Sequence, residues 1–207
     1  MTTLITGLGL VGIGFAQNAV ARGEDLVFYD AEPRQSFLDE LLPGTEVTVL
    51  KRDLRDLPAL VEAMTAHGIG TVVHTAGLIG NRVADPVYTG IQINVQGTIN
   101  VAEASRLTGV KRLIHISTFG VYDRTNEGTE PLSVDAPQWG INPYSATKVA
   151  NELLMRSYQN HYRSFDLAVV RPANVYGPGH FWGGSGGGAM VQSLVAAGIA
   201  GTTARIP

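Results

Sequence analysis

The turn that follows the first apolar run constrains this chain more than any other feature. Residues 2–6 read as a β-strand, and directly after them comes Gly7-Leu8-Gly9-Leu10-Val11-Gly12. Glycines at that G-x-G-x-x-G spacing, between a strand and a helix, remove the side chains that would keep backbone N–H groups away from a pyrophosphate. The helix N-terminus behind them favours the negative charge. The same glycines also suit a bare strand-to-helix turn, and context decides between the two. Asp30 closes the second strand 18 residues after Gly12, near the spacing of about 20 at which an acidic side chain accepts hydrogen bonds from adenosine ribose hydroxyls. A carboxylate there repels a 2′-phosphate, which favours NAD over NADP. Arg34 nearby can still accommodate a phosphate, and an ordinary strand-end turn is the alternative role for Asp30. Asp53 is either a solvated loop charge or a residue that faces the adenine amino group.

Short β-branched runs at 2–6, 26–29, 46–50, 71–75, 112–117 and 167–171 read as strands. Between them, 11–22, 57–67, 91–108 and 144–161 carry apolar residues at three- and four-residue steps, as helices covering a sheet do. The alternation predicts an α/β fold, a Rossmann-type doubly wound parallel sheet with helices on both faces and right-handed crossovers. Gly68 and Gly109 stand where helices should end. Gly183–Gly188, with Ser185 inside it, reads as a flexible loop, followed by a last helix pattern at 189–197. Gly183-Gly184-Ser185-Gly186-Gly187 formally fits a G-x-S-x-G nucleophile elbow, but this serine lies behind His180, Phe181 and Trp182 in a glycine run and not between a strand and a helix.

Composition narrows the function classes. The 207 residues carry a formal net charge of -3 without a basic block or acidic tail, so nothing points to nucleic acid or an anionic membrane surface. There is no cysteine, which removes disulfides, thiolate metal sites and cysteine nucleophiles together. The five histidines show no metal-ligand spacing; His74 and His115 fall in strands, where packing is expected, and no metal is implied. Glycines and charges interrupt every apolar run short of the roughly 18 residues of a membrane span. One globular unit, soluble, cytoplasmic and acting on a small molecule is the expectation.

The chemistry is expected at Tyr144-Ser145-Ala146-Thr147-Lys148, where a phenol and an ammonium four residues apart share one helical face. A tyrosine titrates near ~10, and an adjacent cation can lower such a group by ~1–3 units, which makes the phenolate available as a base. A surface pair at the same spacing is the plain alternative. At the end of the fifth strand, Ser117 and Thr118 bring hydroxyls to the carboxyl edge of the sheet, the usual ligand crevice, where either can hydrogen-bond a substrate oxygen.

Together these pieces resemble the extended short-chain dehydrogenase/reductases, in particular the NAD-dependent epimerase/dehydratase family. The matching segments cover essentially the whole chain: the glycine turn, Asp53-Leu54, His74-Thr75-Ala76-Gly77, Asn94-Val95-Gln96-Gly97-Thr98, Ser117-Thr118 with Val121-Tyr122, Tyr144 with Lys148, and Arg171-Pro172-Ala173-Asn174-Val175-Tyr176-Gly177-Pro178. The resemblance implies that Tyr144 is the catalytic base, that Lys148 holds the nicotinamide ribose and lowers the phenol, and that Thr118 partners the substrate hydroxyl. It further implies an NAD site of Gly7, Gly9, Leu10, Val11, Gly12, Asp30, Asp53, Leu54, Thr75, Ala76 and Gly77, completed by Asn94, Ser117, Tyr144, Lys148 and Pro172. Thr118 and Asn174 would meet the substrate, by the same resemblance a nucleotide-sugar, from which Tyr144 removes a proton while hydride passes to nicotinamide and later returns.

Two features depart from the family pattern. The usual glycine turn is T-G-x-x-G-x-x-G, and the stretch from Thr6 to Gly12 is one residue shorter. Family members also continue well past this point with a substrate subdomain, which is expected to be absent or truncated here. Residues 1–178 are then the NAD-binding domain with the catalytic helix, and 179–207 the Gly-rich loop and the start of the substrate side. An NAD(P)-dependent dehydrogenase or ketoreductase of a small alcohol or sugar acid, or a non-catalytic dinucleotide sensor, are the competing functions. The family often pairs as homodimers through two long helices, here near 91–108 and 144–161.

Overall fold

The computed structural model describes residues 2–123, 131–177 and 186–204. Among these, β1 (Thr2–Thr6), β2 (Leu26–Asp30), β3 (Thr48–Lys51), β4 (Ile69–His74), β5 (Arg112–Ile116) and β6 (Asp166–Val170) form one sheet in the order β3-β2-β1-β4-β5-β6. Every pairing of these strands is parallel. The helices are α1 (Leu10–Ala21), α2 (Gln35–Leu41), α3 (Leu57–Ala66), α4 (Asn81–Ala84), α5 (Val87–Ile91), α6 (Gly97–Thr108), α7 (Pro143–Tyr162) and α8 (Gly186–Ala200). A π-helical turn, Gln92–Gln96, joins α5 to α6, and a 3₁₀ turn, Phe119–Val121, follows β5. The predicted doubly wound α/β architecture is therefore the one observed. No helix among the described residues is long and apolar enough to cross a membrane.

Strand alternation builds the two cores. Leu4 of β1 packs with Tyr29, Leu60, Met64, Val72, Val101, Leu113 and Met155 under α3, α6 and α7. Its neighbour Ile5 points the other way, to Ile13, Ala16, Phe28, Phe37 and Val73 under α1 and α2. Strands buried on both faces read as continuous apolar runs, which is why β2 spells LVFY. Truncating a central member such as Leu113, fully buried, costs about 2–5 kcal/mol through lost transfer energy and the cavity left behind. Chain order reverses between β1 and β4, so the crevice beyond their carboxyl ends is the switch point where ligands of such sheets bind.

The structure differs from the sequence expectation in four helical segments, one of them the short, unanticipated α4. Helix α2 was not anticipated, because its seven residues bury only Phe37 and Leu38 and give no sustained period. The helix expected from residue 91 begins at Val87 and contains the π turn, which shifts the apolar stripe. Gly186–Gly188, expected in a loop, opens α8, since glycine's poor helix propensity reads locally as a break. Pro178, His180, Phe181, Trp182, Gly183 and Ser185 lie outside the described residues. Gly68 and Gly109 sit at φ +58° and +74° after α3 and α6, as expected.

His74 and His115 are register partners on β4 and β5, with ring centroids 5.4 Å apart. Both are buried, as expected for packing residues. Thr98 Oγ1 donates to the Asn94 carbonyl at 2.6 Å, so it accepts from His74 Nε2 at 2.9 Å. His74 Nδ1 is thereby left to accept from Thr6 Oγ1 at 2.7 Å. His115 has no hydrogen-bond partner on either nitrogen. Burial, and then the Lys148 charge, lowers His74 to about 3 and holds His115 well below its ordinary value. The unfolded chain takes up protons below pH ~6.5 that the native rings refuse, so stability is full above that pH and falls as the pH drops toward 3, by about 1.4 kcal/mol per pH unit per proton. His115→Leu should leave stability at pH 7 unchanged or raised, because it removes an unpaired polar ring. It should also flatten the acid slope by about one proton, as read from urea unfolding midpoints between pH 7 and 5.

Candidate active site

Helix α7 starts where its capping residues dictate. Asn142 Oδ1 accepts from the Ser145 N–H at 2.9 Å and Ser145 Oγ lies 3.2 Å from the Asn142 N–H, a reciprocal capping box with Pro143 at the first helical position. Tyr144 is thus fixed in the first turn of α7. Tyr144, Lys148 and Glu152 follow one another at four-residue steps on one face. That face meets the end of β5 residue by residue. The Tyr144 phenol faces the Thr118 hydroxyl. Lys148 Nζ donates to the Ile116 carbonyl at 2.8 Å. Ser117 Oγ donates to Glu152 Oε1 at 2.6 Å.

Electrostatics differ from the sequence expectation at one point. Thr118 Oγ1 accepts from the Gly120 N–H at 3.1 Å, which leaves its own proton for the phenol oxygen. Burial nevertheless outweighs that hydrogen bond and holds Tyr144 above its ordinary value. The expected lowering by Lys148 is not produced by these residues, because the ammonium is directed to Ile116 and sits 6.0 Å from the ring centroid. Burial in turn lowers Lys148 to about 8, opposed by the Glu152 charge.

The glycine turn lies at the head of the crevice. Gly7 takes φ +87°, and a Cβ there would stand 2.8 Å from the backbone of Ala76 and from Thr75 Oγ1. A Cβ on Gly12 would stand 2.2 Å from the Gly7 carbonyl, whereas one on Gly9 meets nothing within 4 Å. Gly9 is also the N-cap of α1, which has neither a side-chain cap nor an acidic residue in its first turn. Asp30 Oδ2 accepts from the Leu8 N–H at 2.7 Å and Oδ1 from the Glu32 N–H at 2.7 Å, so the carboxylate braces the turn and keeps lone pairs for further donors. Thr75 Oγ1 donates to the Thr6 carbonyl at 2.7 Å. Leu10 and Val11 open α1, and Leu10 also borders Gly177 after β6.

Asn94 links the two halves. From the π turn its amide clasps the Leu78 backbone at both ends, at 2.7 and 3.0 Å, and donates to Thr147 Oγ1 at 3.2 Å. Gly77 lies against it, where a Cβ would be 3.2 Å from Asn94 Oδ1 and 3.9 Å from Lys148 Nζ. Gly77, Asn94, Thr118, Tyr144 and Lys148 thus form one cluster next to the glycine turn. Other expected residues are turned elsewhere. Ser117 is committed to Glu152. Asp53 is gripped by Arg55 at 2.5 Å, which holds its carboxyl below the usual range. Leu54 is buried against Gly97. Pro172 offers its carbonyl to the Phe119 N–H at 2.9 Å, and Asn174 is exposed. Sequence reasoning missed Glu152, whose signal was its four-residue step from Lys148, and gave no role to Arg171.

A family profile described as NAD dependent epimerase/dehydratase family matches residues 3–201. The chain is 32% identical over 211 residues to a UDP-glucose 4-epimerase of Mycolicibacterium smegmatis, covering 100% of this chain and 66% of that protein. It is 30% identical over 185 residues to a UDP-glucuronate 4-epimerase of Thermodesulfobacterium geofontis, covering 84% and 56%. The crystal structure of a Thermus thermophilus UDP-glucose 4-epimerase in complex with NAD matches with a TM-score of 0.84 at 27% identity, over 98% of this chain and 64% of that one. The chain therefore spans less than two thirds of the length of these relatives.

The buried ammonium yields a pH test. Lys148 titrates at about 8 in the fold against 10.5 for the free side chain, so between those values the unfolded chain holds the extra proton and stability rises with pH. Lys148→Met should abolish that rise, on the order of 3 kcal/mol, and should be no less stable than the wild type at pH 7 in urea unfolding.

Proposed function

This chain belongs to the NAD dependent epimerase/dehydratase family, and on that premise we propose that it binds NAD and acts on a nucleotide-sugar with Tyr144 as the base. The observation that carries the reading is that the Tyr144 phenol faces the Thr118 hydroxyl with Lys148 one turn further along the same helix face, close to Gly77 and the glycine turn. Relatives that are UDP-sugar 4-epimerases support the substrate class. The open side of Gly9, the uncapped start of α1 and the remaining lone pairs of Asp30 suit a pyrophosphate and a ribose diol without a 2′-phosphate.

When bound, NAD supplies a two-electron acceptor that takes a hydride from a carbinol carbon and gives it back. Tyr144 takes the hydroxyl proton of that carbon, and Thr118 turns its single hydroxyl proton from the phenolate oxygen to the substrate oxygen as the transfer proceeds. Lys148 keeps two N–H donors beyond the one given to Ile116, enough for the ribose hydroxyls. Gly77, Thr75 and Ala76 line the nicotinamide side, while Leu10, Val11 and Gly12 set the phosphate turn. Residues 1–178 form the cofactor unit in this reading, and 179–207 begin the substrate side, with Asn174 facing the sugar. Tyr88, Ile91, Leu107, Leu153 and Tyr162, exposed on α5, α6 and α7, suit a homodimer through these helices, and the location is cytoplasmic.

Incubation with NAD and a panel of UDP- and dTDP-sugars, followed by proton NMR and NADH absorbance, should give a new sugar without NADH accumulation. Stoichiometric NADH would instead mark a one-way dehydrogenase. Tyr144→Phe should bind NADH as the wild type does and lose turnover by about 10²–10⁴-fold. Gly9→Ala should keep its melting temperature and lose NADH affinity, whereas Gly12→Ala should lose the fold around the turn; equal effects would remove the pyrophosphate from Gly9. Asp30→Ala should lose preference for NADH over NADPH in a binding titration.

A further inference from the structure

The proposed chemistry does not require Glu152, yet its side chain is only 1% exposed and ionised. An isolated carboxylate in that position costs several kcal/mol, so its partners define what it does. Oε1 accepts from Ser117 Oγ at 2.6 Å and from Arg171 Nε at 2.9 Å. Oε2 accepts from Gln138 Nε2 at 2.8 Å and from Arg171 Nη2 at 2.5 Å, with Arg156 at 3.5 Å. Arg171 reaches on to the Tyr122 hydroxyl and the Val134 carbonyl, both at 2.7 Å. Burial pushes Glu152 up, but Arg171, Ser117 and Gln138 together outweigh it and hold the carboxyl below its ordinary value.

What separates this cluster from a general anchor is its place in the chain. Ser117 stands between Ile116, whose carbonyl holds the Lys148 ammonium, and Thr118, whose hydroxyl meets the Tyr144 phenol. Fixing Ser117 fixes both. Glu152 also stands one helical turn beyond Lys148. The titratable groups facing Lys148 are His74 from β4, His115 from β5, and Tyr144 and Glu152 from α7. The histidines are held neutral, so the negative charge opposite the ammonium is that of Glu152, itself faced by Arg171 just after β6 and Arg156 of α7.

We propose that Glu152 is a positioning residue for the Tyr144 and Lys148 pair, clamping Ser117 in place and keeping the buried Lys148 side chain in its ammonium form. The assignment deepens the reading of Tyr144 and Lys148 as catalytic groups and rests on it for its consequence in turnover. Its charge component is testable without substrate or cofactor.

The chain has lysines only at 51, 111 and 148, so ¹³C-lysine NMR gives three signals, with Lys148 identified by its loss in Lys148→Met. Glu152→Gln, nearly isosteric, should lower the Lys148 midpoint by about one pH unit. It should also lower kcat by about tenfold to a hundredfold with little change in KM, and move the alkaline limb of the activity profile to lower pH. Glu152→Asp, which retains the charge, should restore most of the Lys148 shift. A folded Glu152→Gln variant with an unchanged Lys148 titration overturns the proposal. Should that variant not fold, Arg171→Gln tests the opposite sign: an unneutralised Glu152 should raise the Lys148 midpoint, and no movement again overturns the proposal. A lysine shift in a protein that turns over no nucleotide-sugar would leave the clamp standing and sink the activity reading; turnover with no lysine shift would do the reverse.

Discussion

A lysine ammonium withdrawn from water limits how everything around it can be built. The cost of burying such a charge is several kcal/mol, and Lys148 can be kept only if acceptors reach it at the right distance. The Ile116 carbonyl does so because β5 ends there and its next residues leave the sheet. Those same residues, Ser117 and Thr118, then have side chains to place, and α7 takes both, one turn on either side of Lys148. The end of β5, the register of α7 against it and the pairing of Glu152 with Arg171 meet around one buried charge.

The crevice at the sheet's switch point has a second source of order. Thr6 at the end of β1 is joined through His74 to Thr98, and Thr98 Oγ1 also accepts from Asn151 of α7 at 3.1 Å. The chain of hydroxyls, ring and amide therefore runs from the foot of the glycine turn, beneath β4, to the helix that carries Tyr144. Each donor in it has an acceptor, while Asn151 Oδ1 is buried without a partner. The glycine turn and Tyr144 are held by one scaffold.

Much of this was legible in the residues, and the remainder was hidden for physical reasons. The parallel order of the strands was readable because β2 and β4 are buried on both faces and spell apolar runs. Tyr144, Lys148 and Thr118 were readable because their chemistry is uncommon at that spacing, and the structure does bring them together. Residue chemistry alone left Ser117 and Thr118 equivalent, and the resemblance chose Thr118: adjacent strand-end hydroxyls diverge, and the position of Glu152 shows that Ser117 is already engaged. Asp53 was ambiguous for a similar reason, since the ion pair with Arg55 depends on how the loop after β3 turns. Glu152 was overlooked because a glutamate on a helix reads as solvated surface unless a distant residue, here Arg171, comes to meet it. The π turn at Gln92–Gln96 leaves no compositional trace, yet it aims Asn94 at the loop after β4.

The capping box at Asn142 and Ser145 has an electrostatic consequence beyond setting where α7 begins. Peptide dipoles along the helix's 20 residues sum to a partial positive charge at its start. Tyr144 occupies that first turn, so its phenol oxygen lies in a field that favours the anion, worth about 0.3–1 kcal/mol at such a position. A helix that began one turn earlier would carry the same tyrosine and lysine at the same spacing, but with the phenol moved away from the positive pole. The cap thus adds to the Thr118 hydroxyl a positive potential made of backbone, which neither titrates nor has to be buried.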